Sequence, residues 1–280
     1  MKAFKFCWLI LLATIVRAAP PGIVIDHSSA STGLYIGSPS IVILSNGDYL
    51  ASHDLFGPKS AEFEAPNSVV FKSTDRGESW KKIATLKSLF WAGLFVHADA
   101  VYIMGTDRHH GRIVIRRSSD NGQTWTEPTD STHGLLTPRA DYHTAPTPVI
   151  EHDGRIWRAF EDASGGTQWG VRYMPIMLSA PANSDLLNAT NWTLSETVKR
   201  DTNWLDGKFT AWLEGNAVIT PENKIANVLR VEVPTFPEKA AIVTISDDGK
   251  SGSFDAARDI IDFPGGAGMS PTPVPNQKTR

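Results

Sequence analysis

The chain has 280 residues, 41% of them hydrophobic and 20% charged, with a formal net charge of −3. A weakly acidic chain lacks the basic footprint that nucleic acid requires, which excludes that class of partner. The one cysteine, Cys7, excludes a disulfide framework, and roughly 260 residues beyond the N-terminal segment are ample for a core that holds without one.

Residues 1–18 read as a secretory signal. Lys2 and Lys5 give a positive start, Phe6 to Val16 is apolar but too short to span a bilayer, and Val16-Arg17-Ala18 offers a cleavage site. No other segment is apolar enough to cross a membrane, so the expected product is secreted, extracellular or periplasmic. Cys7 would leave with the signal. Beyond it there is hardly a helical stretch. An apolar strand, a polar turn and a second apolar strand recur instead: Ile41–Leu44 with Tyr49–Ala51, Leu94–Val96 with Val101–Met104, Pro148–Ile150 with Arg155–Trp157, and Ala217–Ile219 with Ile225–Leu229. Hairpins at this spacing predict an all-β fold of propeller blades, a sandwich being the alternative. The blades fall near residues 35–88, 89–138, 139–200 and 207–262, within a partial β-propeller over 19–264. Residues 265–280, rich in Gly and Pro, cannot supply ladder donors and read as an irregular tail.

Two near-copies of one phrase punctuate this pattern: Ser73-Thr74-Asp75-Arg76-Gly77-Glu78-Ser79-Trp80 and Ser118-Ser119-Asp120-Asn121-Gly122-Gln123-Thr124-Trp125. Asp accepts N–H bonds across a tight turn, Gly supplies a positive φ, and Trp packs on the sheet. The phrase is expected to join strands three and four in the first two blades. Ser179–Trp192 replaces it in the third, and a worn copy with Asp247, Gly249, Ser251 and Gly252 marks the fourth. The phrase is the Asp-box of the sialidase-like β-propellers, and the chain resembles that superfamily. The resemblance implies six blades, or seven in some relatives, of which about four are recognisable here.

Strand polarity places the hairpin turns on one face, and the first-strand starts and second-strand ends on the other. The second face collects His53, Asp54, Glu62 and Glu64, then Asp107, Arg108, His109, His110 and Arg112, then Asp141, Tyr142, His143, Glu161 and Asp162, and finally Trp212, Glu214 and Arg230. Sialidases grip a sugar carboxylate with three arginines and use an acid/base Asp and a Tyr polarised by a Glu. Glu214 and Arg230 resemble the polarising Glu and the second arginine. Gly37 stands where the first arginine belongs, and the third arginine and the Tyr belong to later blades.

The resulting reading is a secreted glycan-active propeller, a glycoside hydrolase of exo-α-sialidase-like type acting next to an acidic sugar. An acid/base pair would come from His53, Asp54 and Glu214, with Arg230, Asp107, Arg112, Glu161 and Asp162 binding substrate. One alternative is an ulvan-type polysaccharide lyase, in which Tyr142 or His143 abstracts a proton beside a carboxylate held by Arg230. The other is a non-catalytic glycan-binding propeller. The expected partner is an oligo- or polysaccharide or a glycoconjugate, bound by a monomer without metal or cofactor. Adjacent His109 and His110 are expected to point apart in an extended loop, which argues against a metal pair, and Trp91 and Trp212 read as seam packing.

Overall fold

Four antiparallel meanders follow one another along the chain in the computed structural model, which describes residues 22–234 and 239–263. The expected signal over 1–18, Cys7 and the expected tail over 265–280 lie outside the described residues. The first sheet runs β1 (Tyr35–Ile43), β2 (Tyr49–Phe56), β3 (Asn67–Ser73) and β4 (Lys81–Lys87). The second has β5 (Phe90–His97), β6 (Ala100–Thr106) and β7 (Ile113–Ser118). The third contains β8 (Tyr142–His143), β9 (Ile150–His152), β10 (Arg155–Asp162), β11 (Met174–Pro181) and β12 (Thr193–Leu194). The fourth contains β13 (Ala211–Ile219), β14 (Ile225–Glu232), β15 (Lys239–Ile245), β16 (Gly252–Ser253) and β17 (Ile260–Asp262). The short α1 (Ala256–Asp259) is the sole α-helix among the described residues.

Each sheet buries its alternating side chains against the next one, because a pleated strand sends successive residues to opposite faces. Leu50 and Val70 meet Leu94 and Ile103 in the first seam. Met104 and Ile115 meet Phe160 and Leu178 in the second, and Trp157 and Met177 meet Trp212 and Leu229 in the third. Truncating a fully buried aromatic such as Phe160 to Ala would cost about 3–5 kcal/mol. The first strands converge on a common axis: residues 39–42, 94–96 and 146–149 line one cavity of about 410 Å³. Sheets packed face to face around such an axis make an all-β propeller.

The first strand of the third sheet is split into β8 and β9 because Pro146 and Pro148 remove ladder donors. Arg158, wholly buried, fills the gap by donating to the carbonyls of Thr147 at 2.7 Å and Ala145 at 2.9 Å. Burial holds its guanidinium down to about 10.

The two repeated phrases fold alike. Ser73 and Ser118 donate to Asp75 and Asp120 and accept the N–H of Gly77 and Gly122, both at positive φ. Trp80 and Trp125 close each turn on the same glycine's carbonyl. The first phrase joins β3 to β4. The second leads instead to a single rung, Thr126 with Arg117, and then to Pro128; beyond that, the sheet gains only a bridge from Leu135 to Val114. The worn copy is centred on Asp248, not Asp247. Ser246 donates to Asp248 and accepts from Ser251 N–H, whereas Asp247 pairs with Lys224.

Hydrogen bonds, led by the Thr124 hydroxyl, hold Asp120 near pKa 2 rather than 3.8. A carboxyl depressed on folding stabilises above its unfolded value, and that contribution disappears as pH falls through about 2. Asp120→Ala should cost about 1 kcal/mol at pH 7, read as a lower melting temperature. The gap from the wild type should narrow between pH 5 and pH 2; a gap independent of pH would contradict the assignment.

Candidate active site

Three of the four first strands bulge near their start. Register breaks fall between Gly37 and Ser40 in β1, Phe90 and Gly93 in β5, and Leu213 and Asn216 in β13. Each bulge holds a non-glycine residue in the left-handed region: Ser38 at φ 53°, Trp91 at 51° and Glu214 at 58°. Such a conformation costs about 1–3 kcal/mol and persists only where neighbours over-determine it. Two seams supply the same restraint. Asp54, near the end of β2, accepts the N–H of Ala92 at 3.2 Å, and Glu161, near the end of β10, accepts that of Gly215 at 2.9 Å. Burial drives Asp54 up to about 7, against the opposing pull of the Ser68 hydroxyl bound to it.

The second carboxylate oxygen of Glu161 meets His143 Nδ1 at 2.8 Å, with both side chains almost inaccessible to solvent. A proton on Nδ1 then leaves Nε2 as the basic nitrogen. The His143 ring stacks on Tyr173 at 4.4 Å and meets Trp91 edge-on at 5.6 Å. The Tyr173 hydroxyl lies 2.9 Å from His110 Nε2, and His109 Nδ1 lies 3.4 Å from Glu62. Glu214 contacts Arg230 at 3.3 Å, and Arg230 also reaches Glu232 at 3.2 Å.

Low solvent access biases four of these groups toward uncharged forms. Burial raises Glu214, Arg230 pulls it down, and Glu161 pushes it up again. Burial likewise raises the Tyr173 phenol, with Glu161 adding to the effect. Burial first, then the neighbouring His109 and Arg172, holds His110 down to about 3; His109 is lowered by burial and by His143.

Of the residues expected at the site, His143, Glu161, Glu214 and Arg230 converge. Asp54 lies beneath the bulge that presents Trp91. Asp107 and Arg112 pair at 2.7 Å, and Asp107 also accepts Arg112 N–H, closing the loop that carries His109 and His110. Asp162 pairs with Arg139 at 2.5 Å, and Arg139 lies 4.6 Å over Tyr142, whose ring joins the second seam. Tyr142 and His143 are consecutive on a strand, so they face opposite ways. His53 also departs from the expected set. It bonds Asp26 at 2.8 Å and stacks on Phe71, on the face of the first sheet turned away from the second.

Tyr173 and Arg172, in the loop after β10, were missed by sequence reasoning, although second-strand ends were known to feed this face. Trp91, read as seam packing, belongs to the cluster, while Trp212 is fully buried. Among the described residues no three His, Cys, Asp or Glu side chains are grouped to hold a metal ion.

No protein-family model matches the chain, and neither does any curated protein. Solved structures do. The α-L-arabinanase of Penicillium chrysogenum, complexed with arabinobiose, is 14% identical with a TM-score of 0.50, covering 77% of this chain and 64% of its own. The GH93 α-L-arabinofuranosidase of Fusarium graminearum is 15% identical (0.51; 80% and 70%), and the α-L-arabinofuranosidase of Lactobacillus brevis is 12% identical (0.52; 81% and 79%). The chain thus spans just under two thirds of the arabinanase. At such identities the likeness establishes the fold, a β-propeller, and nothing finer.

His110 should remain neutral from pH 8 down to pH 5, as read from imidazole ¹⁵N shifts. A titration midpoint near the ordinary value of 6.5 would show that the loop does not bury it as described.

Proposed function

We propose that this chain belongs to a glycan-active propeller of glycoside hydrolase type. The observation that carries the reading is the convergence of Glu214, biased toward its protonated form, with the Glu161–His143 pair and Arg230. The likeness to arabinan-active glycosidases supports it at the level of the fold. Glu214 donates its proton to the glycosidic oxygen as the bond to the anomeric carbon breaks. His143 Nε2 takes a proton from the water that attacks that carbon, while Glu161 stabilises the resulting imidazolium. Arg230 holds a sugar carboxylate or hydroxyl beside it. Sialidase-like specificity is a narrower possibility within this proposal, as is export directed by residues 1–18.

The test is release of reducing ends from a panel of arabinan, α-sialosides and uronate-containing polysaccharides. With a cleaved member in hand, Glu214→Gln should lower kcat by about 100-fold or more while substrate binding persists. It should also remove the alkaline limb of the pH profile, since loss of the Glu214 proton sets that limb. Wild-type-like turnover in the variant would remove Glu214 from the mechanism.

A second reading, β-elimination, is favoured by the bond between Tyr173 and His110. A phenol that keeps its proton can hand it to a leaving oxygen while His143 takes the proton beside a uronate carboxylate. Elimination leaves an unsaturated uronate that absorbs in the ultraviolet, and hydrolysis leaves none. Tyr173→Phe should abolish that absorbance if elimination is the reaction; an unchanged signal would rule out this role for Tyr173.

A further inference from the structure

We propose that the groove between the first and second sheets is a separate subsite for an anionic sugar, one carrying a carboxylate or sulfate on the same glycan chain that occupies the central cluster. This rests on the glycan-binding reading above and adds where the charged residue sits. The groove encloses about 290 Å³ and is bordered by the loop that also carries two histidines of the cluster. One wall is the end of β4 with the turn after it, at Lys87 and Ser88. The other is the loop from Asp107 to Arg112, which sends His109 and His110 into the cluster and Arg108 and Arg112 into the groove. A glycan leaving the cluster across this loop enters the groove directly.

The chemistry of the lining selects the ligand class. Val114 and Pro128 are its apolar members and no aromatic ring lines it, so a neutral sugar finds no stacking platform. Four cationic side chains face three carboxylates, in a chain whose formal charge is −3. Two of the carboxylates are engaged: Asp107 by Arg112, and Glu127 by the buried Arg116 at 2.6 Å. Arg116 also donates to the Lys87 carbonyl at 2.5 Å, fixing the strand end from which that lysine projects. Lys87 makes no ion pair among the described residues, and Arg108 makes only a long one, 4.0 Å, to the Asp107 already engaged by Arg112. Glu64 makes no ion pair among the described residues and is the carboxylate that opposes them. An anionic substituent fits between Lys87 and Arg108, and Glu64 works against it.

The test measures binding of four probes by the intact chain: polygalacturonate, its fully methyl-esterified form, dextran sulfate and inorganic phosphate. The double variant Lys87→Gln with Arg108→Gln should weaken binding of polygalacturonate or dextran sulfate, whichever carries the preferred anion, by about fivefold. The loss should shrink at high salt, and the neutral ester should be unaffected. Glu64→Gln should act in the opposite direction and tighten the charged polymer about twofold. Unchanged affinity in the double variant, an equal loss for the neutral ester, weaker binding in Glu64→Gln, or failure of the wild type to bind either charged polymer would each overturn the subsite. Phosphate that competes as well as a polymer would also overturn it, by showing a free-anion site. Cleavage is a separate readout: a Glu214→Gln variant that still cleaves refutes the catalytic reading and leaves the binding result standing.

Discussion

The N–H that a bulge turns out of its own sheet must find an acceptor, and in two seams that acceptor is a carboxylate from the sheet before. Asp54 meets Ala92 in one, and Glu161 meets Gly215 in the other. Burying a carboxyl group is costly, and these two are tolerated because each oxygen is bonded. The link fixes the height of Trp91 and Glu214 above the central axis. It also leaves Glu161 one oxygen with which to orient His143. Remove the carboxylate and the bulge, the projecting side chain and the imidazole lose their common reference.

This arrangement gives the cluster an unusual electrostatic character. Four of its members are biased toward forms that carry or accept a proton without carrying charge: Glu214 and Tyr173 upward in pKa, His109 and His110 downward. Arg230, contacted by two carboxylates at 3.3 and 3.2 Å, and Arg172, beside His110, are fixed positive charges among them. A proton passing between neutral partners creates charge on both, and the fixed charges and bonded groups around them are already in place to meet it. The apolar seams thus do more than stabilise, since they keep bulk water from levelling these shifts.

Much of the fold was legible because hairpins and the Ser-x-Asp-x-Gly phrase depend on local rules: alternating burial, a left-handed glycine and short-range hydrogen bonds. The same locality explains the errors. The second phrase folds as its residues require, yet Pro128 denies it a fourth strand, and the worn copy shifted by one residue because Asp248 satisfies Ser246 better placed than Asp247. Site membership was harder to read. Glu161, His143, Glu214 and Arg230 fall on this face by strand polarity, and the sialidase resemblance singled out Glu214 and Arg230 as well. His53 does not fall there, since one step along a pleated strand reverses the face, and it sits on the opposite side from Asp54. Tyr173 enters through a loop without periodicity, and the bulge that exposes Trp91 has no sequence mark beyond Gly93.

The bulge at Glu214 carries a further consequence. Glycine there would adopt φ 58° without strain and would remove a buried acid that Glu161 and Glu232 crowd electrostatically. Against that relief stands the ion pair with Arg230 at 3.3 Å, which glycine would forfeit. The glutamate is thus held between opposing demands, the strain of its backbone on one side and its partner's charge on the other. A chain hardened by the exchange would lose the proposed proton donor, so endurance and the proposed chemistry meet at this one residue, where the preceding sheet holds the bulge in place.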